Sequence, residues 1–151
     1  MSLSTLSPFH LAIPVSDLLE TVAFYESVLG CTRGRESAAW IDLSLFGHQL
    51  VLHQVERHDS PGHDQPTNPV DGEDVPVPHF GVVLEWDAFE ALVSRIQEVG
   101  TGFVIGPTTR FEGRAGEQRT CFLRDPSGNC LEFKTFKDPG MLFTRDLEKY
   151  Q

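Results

Sequence analysis

Three residues of this 151-residue chain could together hold a metal ion. His10 and His79 lie at the starts of two strand-like apolar runs, and Glu132 lies in a third run near the end of the chain. Two imidazoles and one carboxylate are the usual donor set of non-haem Fe(II) oxygenases, and catalytic zinc also uses two histidines and a glutamate. These residue types therefore predict a metal centre and leave the metal open.

The two histidines lie in equivalent places of an internal repeat. A strand-like run at 9–15 precedes a helical segment at 17–30, and a second run at 79–86 precedes a helical segment at 87–100. Each helical segment opens on aspartate (Asp17 and Asp87), has glutamate three residues later and ends on glycine, which suits a capped start and a left-handed stop. The chain therefore contains two copies of one unit.

Further strand signals follow each helix. They occur at 40–46 and 48–55 in the first unit, and at 102–105, 119–125 and 129–136 in the second. The sequence Asp125-Pro126-Ser127-Gly128 has the residue preferences of a type I turn. Each half is thus interpreted as βαβββ, and the predicted fold class is α+β, with helices on the outer side of two small sheets.

Alignment of the units on the glycines of their last turns places Val51 opposite Glu132. A pseudo-twofold axis between the units would bring His10 and His79 to one space. The predicted metal ligands are therefore His10, His79 and Glu132, and valine occupies the fourth symmetric position. Such a site leaves an open coordination face for a substrate and for O₂.

His53 is the candidate catalytic residue. It lies two residues after Val51, and side chains two apart on a strand share a face, so it is expected to look toward the metal cavity. An imidazole there could act as a general base and as a general acid. His48 has the opposite parity, and His58 and His63 could approach only if their loop closed over the site.

Composition excludes several function classes. The chain has 12 Lys and Arg against 22 Asp and Glu, a net charge of −10, which argues against binding to nucleic acid or to a membrane surface. It has no targeting pattern and no apolar run near the ~18 residues of a membrane span, so a cytoplasmic location is expected. Its three irregularly spaced cysteines suit reduced thiols better than disulfides.

We expect a single domain over 1–151, with modules at 8–55 and 79–137 and a tail at 138–151. The polar segment 56–78 is either a linker or a lid over the site. A local basic stretch is formed by Arg110, Arg114, Arg119 and Arg124. It is interpreted either as a solvated hairpin or as an anion-binding element.

The chain resembles the glyoxalase, bleomycin-resistance and extradiol dioxygenase superfamily, also called the vicinal oxygen chelate superfamily. The segments that carry this resemblance are HLAIPVSDLLETVAFYESVLGC, PHFGVVLEWDAFEALVSRIQEVG and FLRDPSGNCLEF, and it covers about residues 8–137. It implies two βαβββ modules that form a curved mixed sheet around a metal cavity. Glyoxalase-type isomerases of this superfamily usually carry a fourth ligand where this chain has Val51.

Within the superfamily the chain looks most like small extradiol dioxygenase-like proteins. That resemblance implies an enzyme in which Fe(II) binds O₂ and a vicinal-diol, catechol-like small molecule, which is anionic or chelating. Two alternatives stay open: a metal-dependent isomerase or lyase that uses Zn²⁺, Ni²⁺ or Mn²⁺, and a metal-free binding protein of the bleomycin-resistance type. Members of the superfamily often dimerise, so a homodimer is expected.

Overall fold

The first module is a four-stranded sheet with one helix. In the computed structural model, which describes residues 6–60 and 65–145, its elements are β1 (His10–Val15), α1 (Leu18–Ser27), β2 (Thr32–Glu36), β3 (Trp40–Leu45) and β4 (His48–Gln54). The strand order is β1-β4-β3-β2, with β1 parallel to β4 and the other pairs antiparallel. This is the predicted βαβββ unit.

A short hairpin connects the modules where the sequence predicted only a linker or a lid. A 3-10 turn at Arg57–Asp59 is followed by β5 (Thr67–Val70) and β6 (Glu73–Pro76), which pair antiparallel. Asp71 and Gly72 form the tip with φ of 50° and 87°. Two successive left-handed residues are what a tight hairpin turn demands, and an Asp-Gly pair supplies them at low cost. His63 lies outside the described residues.

The second module repeats the first with a weaker opening strand. Its elements are α2 (Trp86–Val99), β7 (Ile105–Arg110), β8 (Gln118–Arg124) and β9 (Cys130–Phe136), and the strand order is β7-β8-β9. The segment at 79–84 forms isolated parallel bridges with β9, from Phe80 to Leu131 and from Val83 to Lys134. The α+β fold class is confirmed, while a continuous strand over 79–86 was wrong.

The strand registers are equivalent in the two modules. Leu11, one residue after His10, pairs with Leu50, one residue before Val51. Phe80, one residue after His79, bridges to Leu131, one residue before Glu132. Val51 therefore occupies in the first sheet the place that Glu132 occupies in the second.

Two local predictions meet different outcomes at the helix starts. Asp17 caps α1, and its Oδ1 accepts from the Glu20 amide at 2.9 Å. The corresponding cap by Asp87 was wrong, because α2 begins at Trp86, two residues earlier than that cap requires, and Asp87 lies in its first turn. A carboxylate there still interacts favourably with the helix dipole.

The strand predicted at 102–105 was also misplaced, since β7 begins at Ile105 and includes residues that the sequence had assigned to a loop.

The two modules share one hydrophobic core. Both helices pack on the sheets, and the fully buried side chains of this core include Val22 and Tyr25 from α1, Phe89 and Ile96 from α2, and Phe133 from β9. All three cysteines are free and buried, and burial raises the pKa of the Cys31 and Cys121 thiols to about 12. Among the described residues no helix is long and apolar enough to cross a membrane.

The predicted turn at Asp125–Gly128 is present and also joins the modules. Gly128 donates its amide to the Asp125 carbonyl at 3.0 Å, which closes the turn. The buried Tyr25 hydroxyl donates to Asp125 Oδ2 at 2.9 Å, and the Asn129 amide group donates to the Pro14 carbonyl at 2.9 Å. The turn of the second module is thus bonded to both α1 and β1 of the first.

Candidate metal centre

His79 and Glu132 form a pair in the second module. His79 Nε2 lies 3.0 Å from Glu132 Oε2, and the two side chains are 25% and 15% exposed. His79 Nδ1 lies 2.6 Å from the Pro76 carbonyl oxygen. Because that oxygen can only accept, Nδ1 carries the proton and Nε2 is the nitrogen that faces the carboxylate. The pair is shielded by the protein yet reachable from solvent.

A close approach of two backbones positions the pair. The Glu132 amide donates to the Phe80 carbonyl at 2.8 Å, in the bridge that joins segment 79–84 to β9. A Cβ on Gly81 would lie 1.6 Å from the Glu132 carbonyl oxygen. No side chain fits there, so glycine permits the contact that places His79 beside Glu132.

The second oxygen of the glutamate is held by two donors. Thr120 donates its hydroxyl to Glu132 Oε1 at 2.7 Å, and Lys134 Nζ lies 3.5 Å from the same oxygen. The Phe122 ring packs on His79 edge to face, with ring centroids 5.1 Å apart. Both side chains of the pair are therefore fixed by neighbours while Nε2 and Oε2 stay directed at each other.

This donor arrangement fits a divalent cation. A neutral His79 with its proton on Nδ1 presents a lone pair at Nε2, and an ionised Glu132 presents another at Oε2. Two lone pairs at 3.0 Å repel unless a proton or a metal ion lies between them. Ligating histidines commonly donate their other nitrogen to a backbone carbonyl, and ligating carboxylates are commonly hydrogen-bonded in turn. Both features are present at this pair.

His10 is not brought to the pair within one chain. Across residues 6–60 and 65–145, no three His, Cys, Asp or Glu side chains converge as a possible metal site. His10 is exposed, and its Nδ1 lies 2.8 Å from Gln49 Oε1. Since an amide oxygen accepts, Nδ1 is the donor and Nε2 is the unprotonated nitrogen of the neutral ring, as at His79. The two histidines share a tautomer, but they do not belong to one group of ligands among the described residues.

His53 lies away from this site. It is exposed on β4, where its Cα partners are Pro14 and Trp40, and it does not line the cavity around His79. His58 is also exposed and lies 3.5 Å from Asp59. His53 belongs to β4 of the first module, whereas the pair lies in the second.

A cavity of about 210 Å³ opens beside the pair. Its wall combines β7, β8 and β9 with the β5–β6 hairpin, and it includes Arg110 and Lys134. The other arginines of the basic stretch have different surroundings: Arg119 pairs with Glu90 of α2, Arg124 bonds Gln65 and the Gly128 carbonyl, and Arg114 is exposed. Of the four arginines in the basic stretch, only Arg110 lines this cavity.

Sequence reasoning missed the supporting residues of the pair. Lys134 could have been found, because it lies two residues after Glu132 on one strand and so shares its face. Thr120 and Gln49 gave no such signal, since each depends on the pairing register between strands. Asp71 reaches Arg110 through a hairpin that the sequence did not predict.

The family of the chain follows from its similarity to known proteins. Residues 7–133 match the family model of the Glyoxalase/Bleomycin resistance protein/Dioxygenase superfamily. The chain belongs to this superfamily. Virulence protein STM3117 of Salmonella typhimurium is 33% identical over 131 residues, which span 84% of this chain and 82% of that protein.

Solved structures of the superfamily extend the comparison. A glyoxalase/bleomycin resistance protein/dioxygenase from Alicyclobacillus acidocaldarius is 36% identical, with a TM-score of 0.71, and the match covers 91% of this chain and 96% of that one. A fosfomycin resistance protein from Listeria monocytogenes has a TM-score of 0.65 at 15% identity, covering 93% and 100%. The latter likeness shows a shared fold alone.

Proposed function

We propose that the protein is a metal-dependent enzyme of the extradiol dioxygenase type, acting on a small molecule that chelates through neighbouring oxygens. One observation carries the proposal: His79 Nε2 and Glu132 Oε2 face each other at 3.0 Å on the wall of a cavity. Two histidines with one carboxylate suit Fe(II), and such an ion would supply Lewis acidity and a binding place for O₂.

The third ligand in this proposal is His10 from a second copy of the chain. Within one chain His10 is exposed and its Nδ1 bonds Gln49. Among residues 6–60 and 65–145, no His, Cys, Asp or Glu side chain joins His79 and Glu132 as a third donor. A twofold dimer repeats each contact, so one exchange of His10 would complete two identical sites. The protein is thus proposed to act as a homodimer.

An exposed apolar surface adjoins His10 and supports the second copy as its occupant. Phe9, the residue before His10, is 65% exposed, and Leu6 is 86% exposed. Both line a groove of about 270 Å³ that Val83 and Leu142 also line. Apolar patches of this kind are costly in water and commonly mark interfaces. Burial of this groove in a dimer would carry His10 into contact with the other subunit.

The residues of the chain itself have defined tasks in this proposal. The Pro76 carbonyl holds the His79 tautomer, and Thr120 fixes the rotation of the Glu132 carboxylate. Phe122 covers the His79 ring and limits water on that side. The cavity wall has two cations, Arg110 and Lys134, beside two carboxylates, Asp71 and Glu132. In this proposal the cations attract the anionic group of a chelating substrate. His53 is retained as a candidate base only if the second subunit brings its β4 to the cavity.

A redox-neutral reaction is the second candidate. No histidine other than His79 lines the described cavity around the pair, whereas two cationic side chains do. A metal-dependent isomerase or lyase that uses Zn²⁺, Ni²⁺ or Mn²⁺ needs charge stabilisation in this place and no oxygen. This candidate differs from the first in its metal and in its independence of O₂.

Metal analysis followed by oxygen uptake separates these candidates. Protein purified anaerobically should contain about one divalent ion per chain, and oxygen electrode traces with a panel of catechols should show substrate-dependent uptake if the metal is iron. Iron without uptake favours the redox-neutral reaction. Equal metal content in wild type and His79→Ala, with His58→Ala as the matched surface control, would contradict both.

Mixing two inactive variants tests the exchange of His10. His10→Ala and His79→Ala should each lose metal as separate proteins. After mixed refolding, a heterodimer carries one site with both histidines intact, so about a quarter of all sites should regain metal. No recovery, with both variants folded and dimeric, would place all ligands in one chain.

A further inference from the structure

The cavity beside the His79–Glu132 pair contains a second, separate ion pair. Arg110 of β7 pairs with Asp71 at the tip of the β5–β6 hairpin. The arginine side chain is 15% exposed and the aspartate side chain 55% exposed. The cation is therefore part of the cavity wall, whereas its carboxylate partner reaches in from the solvent side.

The hairpin is anchored at its base and exposed at its tip. Val75 is 5% exposed and packs with Phe122 and Cys130, so β6 is fixed to the second sheet. Val70, next to the tip, is 44% exposed. Release of the Asp71 side chain thus requires no unpacking of the hairpin base, and the tip residue can leave Arg110 at the modest cost of a partly exposed ion pair.

A second cation lies on the same cavity wall. Lys134 Nζ is 3.5 Å from Glu132 Oε1, and Lys134 lines the cavity with Arg110. Two cations face one small cavity, and the carboxylates near them are Glu132, which belongs to the pair, and Asp71, which belongs to the tip. An incoming anion can replace only the second of these without disturbing the pair.

We infer that Arg110 is the anion-binding residue of this cavity and that Asp71 occupies its guanidinium until a carboxylate or phosphate group of the substrate displaces it. The inference deepens the proposed function, on which it rests, by naming the substrate class: a molecule with chelating oxygens at one end and a separate anionic group at the other. An arginine fork suits both anions because it offers two parallel N–H donors.

The inferred competition has a consequence for mutants. Removal of the Asp71 charge frees Arg110 and tightens anion binding, although it deletes an ion pair from the protein. Removal of the Arg110 charge eliminates the subsite. When Arg110 has already been replaced, substitution of Asp71 should not change anion affinity further, because Asp71 acts only through the Arg110 guanidinium.

Calorimetric titration of metal-free protein with inorganic phosphate and with benzoate tests these relations. Arg110→Gln should weaken binding about tenfold, and Asp71→Asn should tighten it about two- to fivefold. Arg114→Gln and Asp74→Asn remove the same charges from exposed positions of the same region and should leave affinity near that of wild type. The double variant D71N/R110Q should bind as weakly as R110Q.

Several results would overturn the inference. Wild-type affinity in R110Q would show that the Arg110–Asp71 pair only holds the hairpin, and equal effects of D71N and D74N would show a general charge effect. Because the titration uses metal-free protein, it can succeed while the metal proposal fails. Loss of metal binding in His79→Ala with an unchanged R110Q would establish the metal site and reject the anion subsite.

Discussion

At the scale of single residues, the orientation of each donor atom depends on one hydrogen bond. The Pro76 carbonyl holds the proton of His79 on Nδ1, and Gln49 does the same at His10. Thr120 fixes one oxygen of Glu132 and leaves the other directed at His79. These supporting contacts fix the directions of His79 Nε2 and Glu132 Oε2. The two side chains therefore present their lone pairs to one point.

Thr120→Val should weaken metal binding by about ten- to a hundredfold, the usual cost of losing a group that orients a ligand. The substitution keeps the volume and removes the hydroxyl that holds Glu132 Oε1. Competition with a chelating metal indicator measures the affinity, and Thr120→Ser should restore most of it.

Thr135→Val is the matched control for this change. Thr135 is fully buried in β9, and its hydroxyl has no hydrogen-bond partner within the described parts of the chain. Its loss should leave metal affinity unchanged and stability equal or slightly higher. Equal affinity losses in both variants would point to a general effect of threonine removal and contradict the role of Thr120.

At the scale of elements, two short segments determine how the pair is placed. Segment 79–84 approaches β9 closely enough to require glycine at Gly81, and the turn at 125–129 bonds the second module to α1 and β1 of the first. Asp125 accepts from the Ser127 and Asn129 amides, the Tyr25 hydroxyl and the Asn129 side chain. All four are neutral donors, and burial raises the pKa of the Asp125 carboxyl above its ordinary value despite them.

Gly81→Ala should separate His79 from Glu132. A methyl group 1.6 Å from the Glu132 carbonyl oxygen cannot be accommodated without movement of the backbone, so the bridge at Phe80 should break. We expect a lower melting temperature and loss of bound metal, measured by calorimetry and elemental analysis. Gly102→Ala has open space around the added carbon and should retain the wild-type melting temperature and metal content. Wild-type metal content in Gly81→Ala would contradict the role of Gly81.

Asp125→Asn should lower the free energy of unfolding by about 1–3 kcal/mol, because an amide nitrogen cannot accept the Tyr25 hydroxyl. The raised pKa fixes the sign of the pH dependence. Wild-type Asp125 stabilises most below the ordinary aspartate value and loses this contribution as pH rises through its raised folded pKa. Asparagine does not titrate, so the gap between wild type and variant should narrow with rising pH.

Urea unfolding of both proteins from about pH 3 to 7 measures this gap. Glu98→Gln, which removes an exposed carboxylate from α2, is the control for loss of one acidic group. A gap that widens as pH rises would show that the carboxylate form is the one favoured by folding and would contradict the raised pKa.

At the scale of the whole molecule, two features of the single chain have no role in the proposed site unless a second copy binds. Among the described residues His10 does not converge with the pair, and the apolar groove beside it is open to solvent. A twofold dimer would use both, since it buries the groove and exchanges His10. The net charge of the chain is −10, whereas the cavity wall has two cations, Arg110 and Lys134, for two carboxylates, Asp71 and Glu132.

Phe9→Glu should convert the proposed dimer to monomer and lower its metal affinity, because a charge placed in an apolar interface is costly to bury. Sedimentation velocity with and without metal measures the oligomeric state. Leu19→Glu, at a position 72% exposed on α1 and outside the groove, should remain dimeric. A wild type that is monomeric with metal bound would contradict the exchange of His10.

Much of this protein is determined by local sequence. Repeated helix periodicity, the Asp17 cap and the Asp125–Gly128 turn depend on residues close in the chain, which is why the α+β fold class could be predicted. The equivalence of Val51 and Glu132 also followed from the repeat. The start of α2, the bounds of β7 and the β5–β6 hairpin could not be predicted reliably, because packing and strand pairing override weak local preferences there.

The candidate site also has features that local sequence predicts and features that depend on tertiary structure. Sequence alone singled out His79 and Glu132, since each is fixed by its place in a repeated unit. Tertiary structure decided that they meet, that Thr120 and Lys134 hold the carboxylate, and that His10 lies elsewhere. The physical reason is that a repeat specifies equivalent positions within its units, whereas the direction in which two units pack depends on side chains distant in sequence, such as Tyr25 on Asp125.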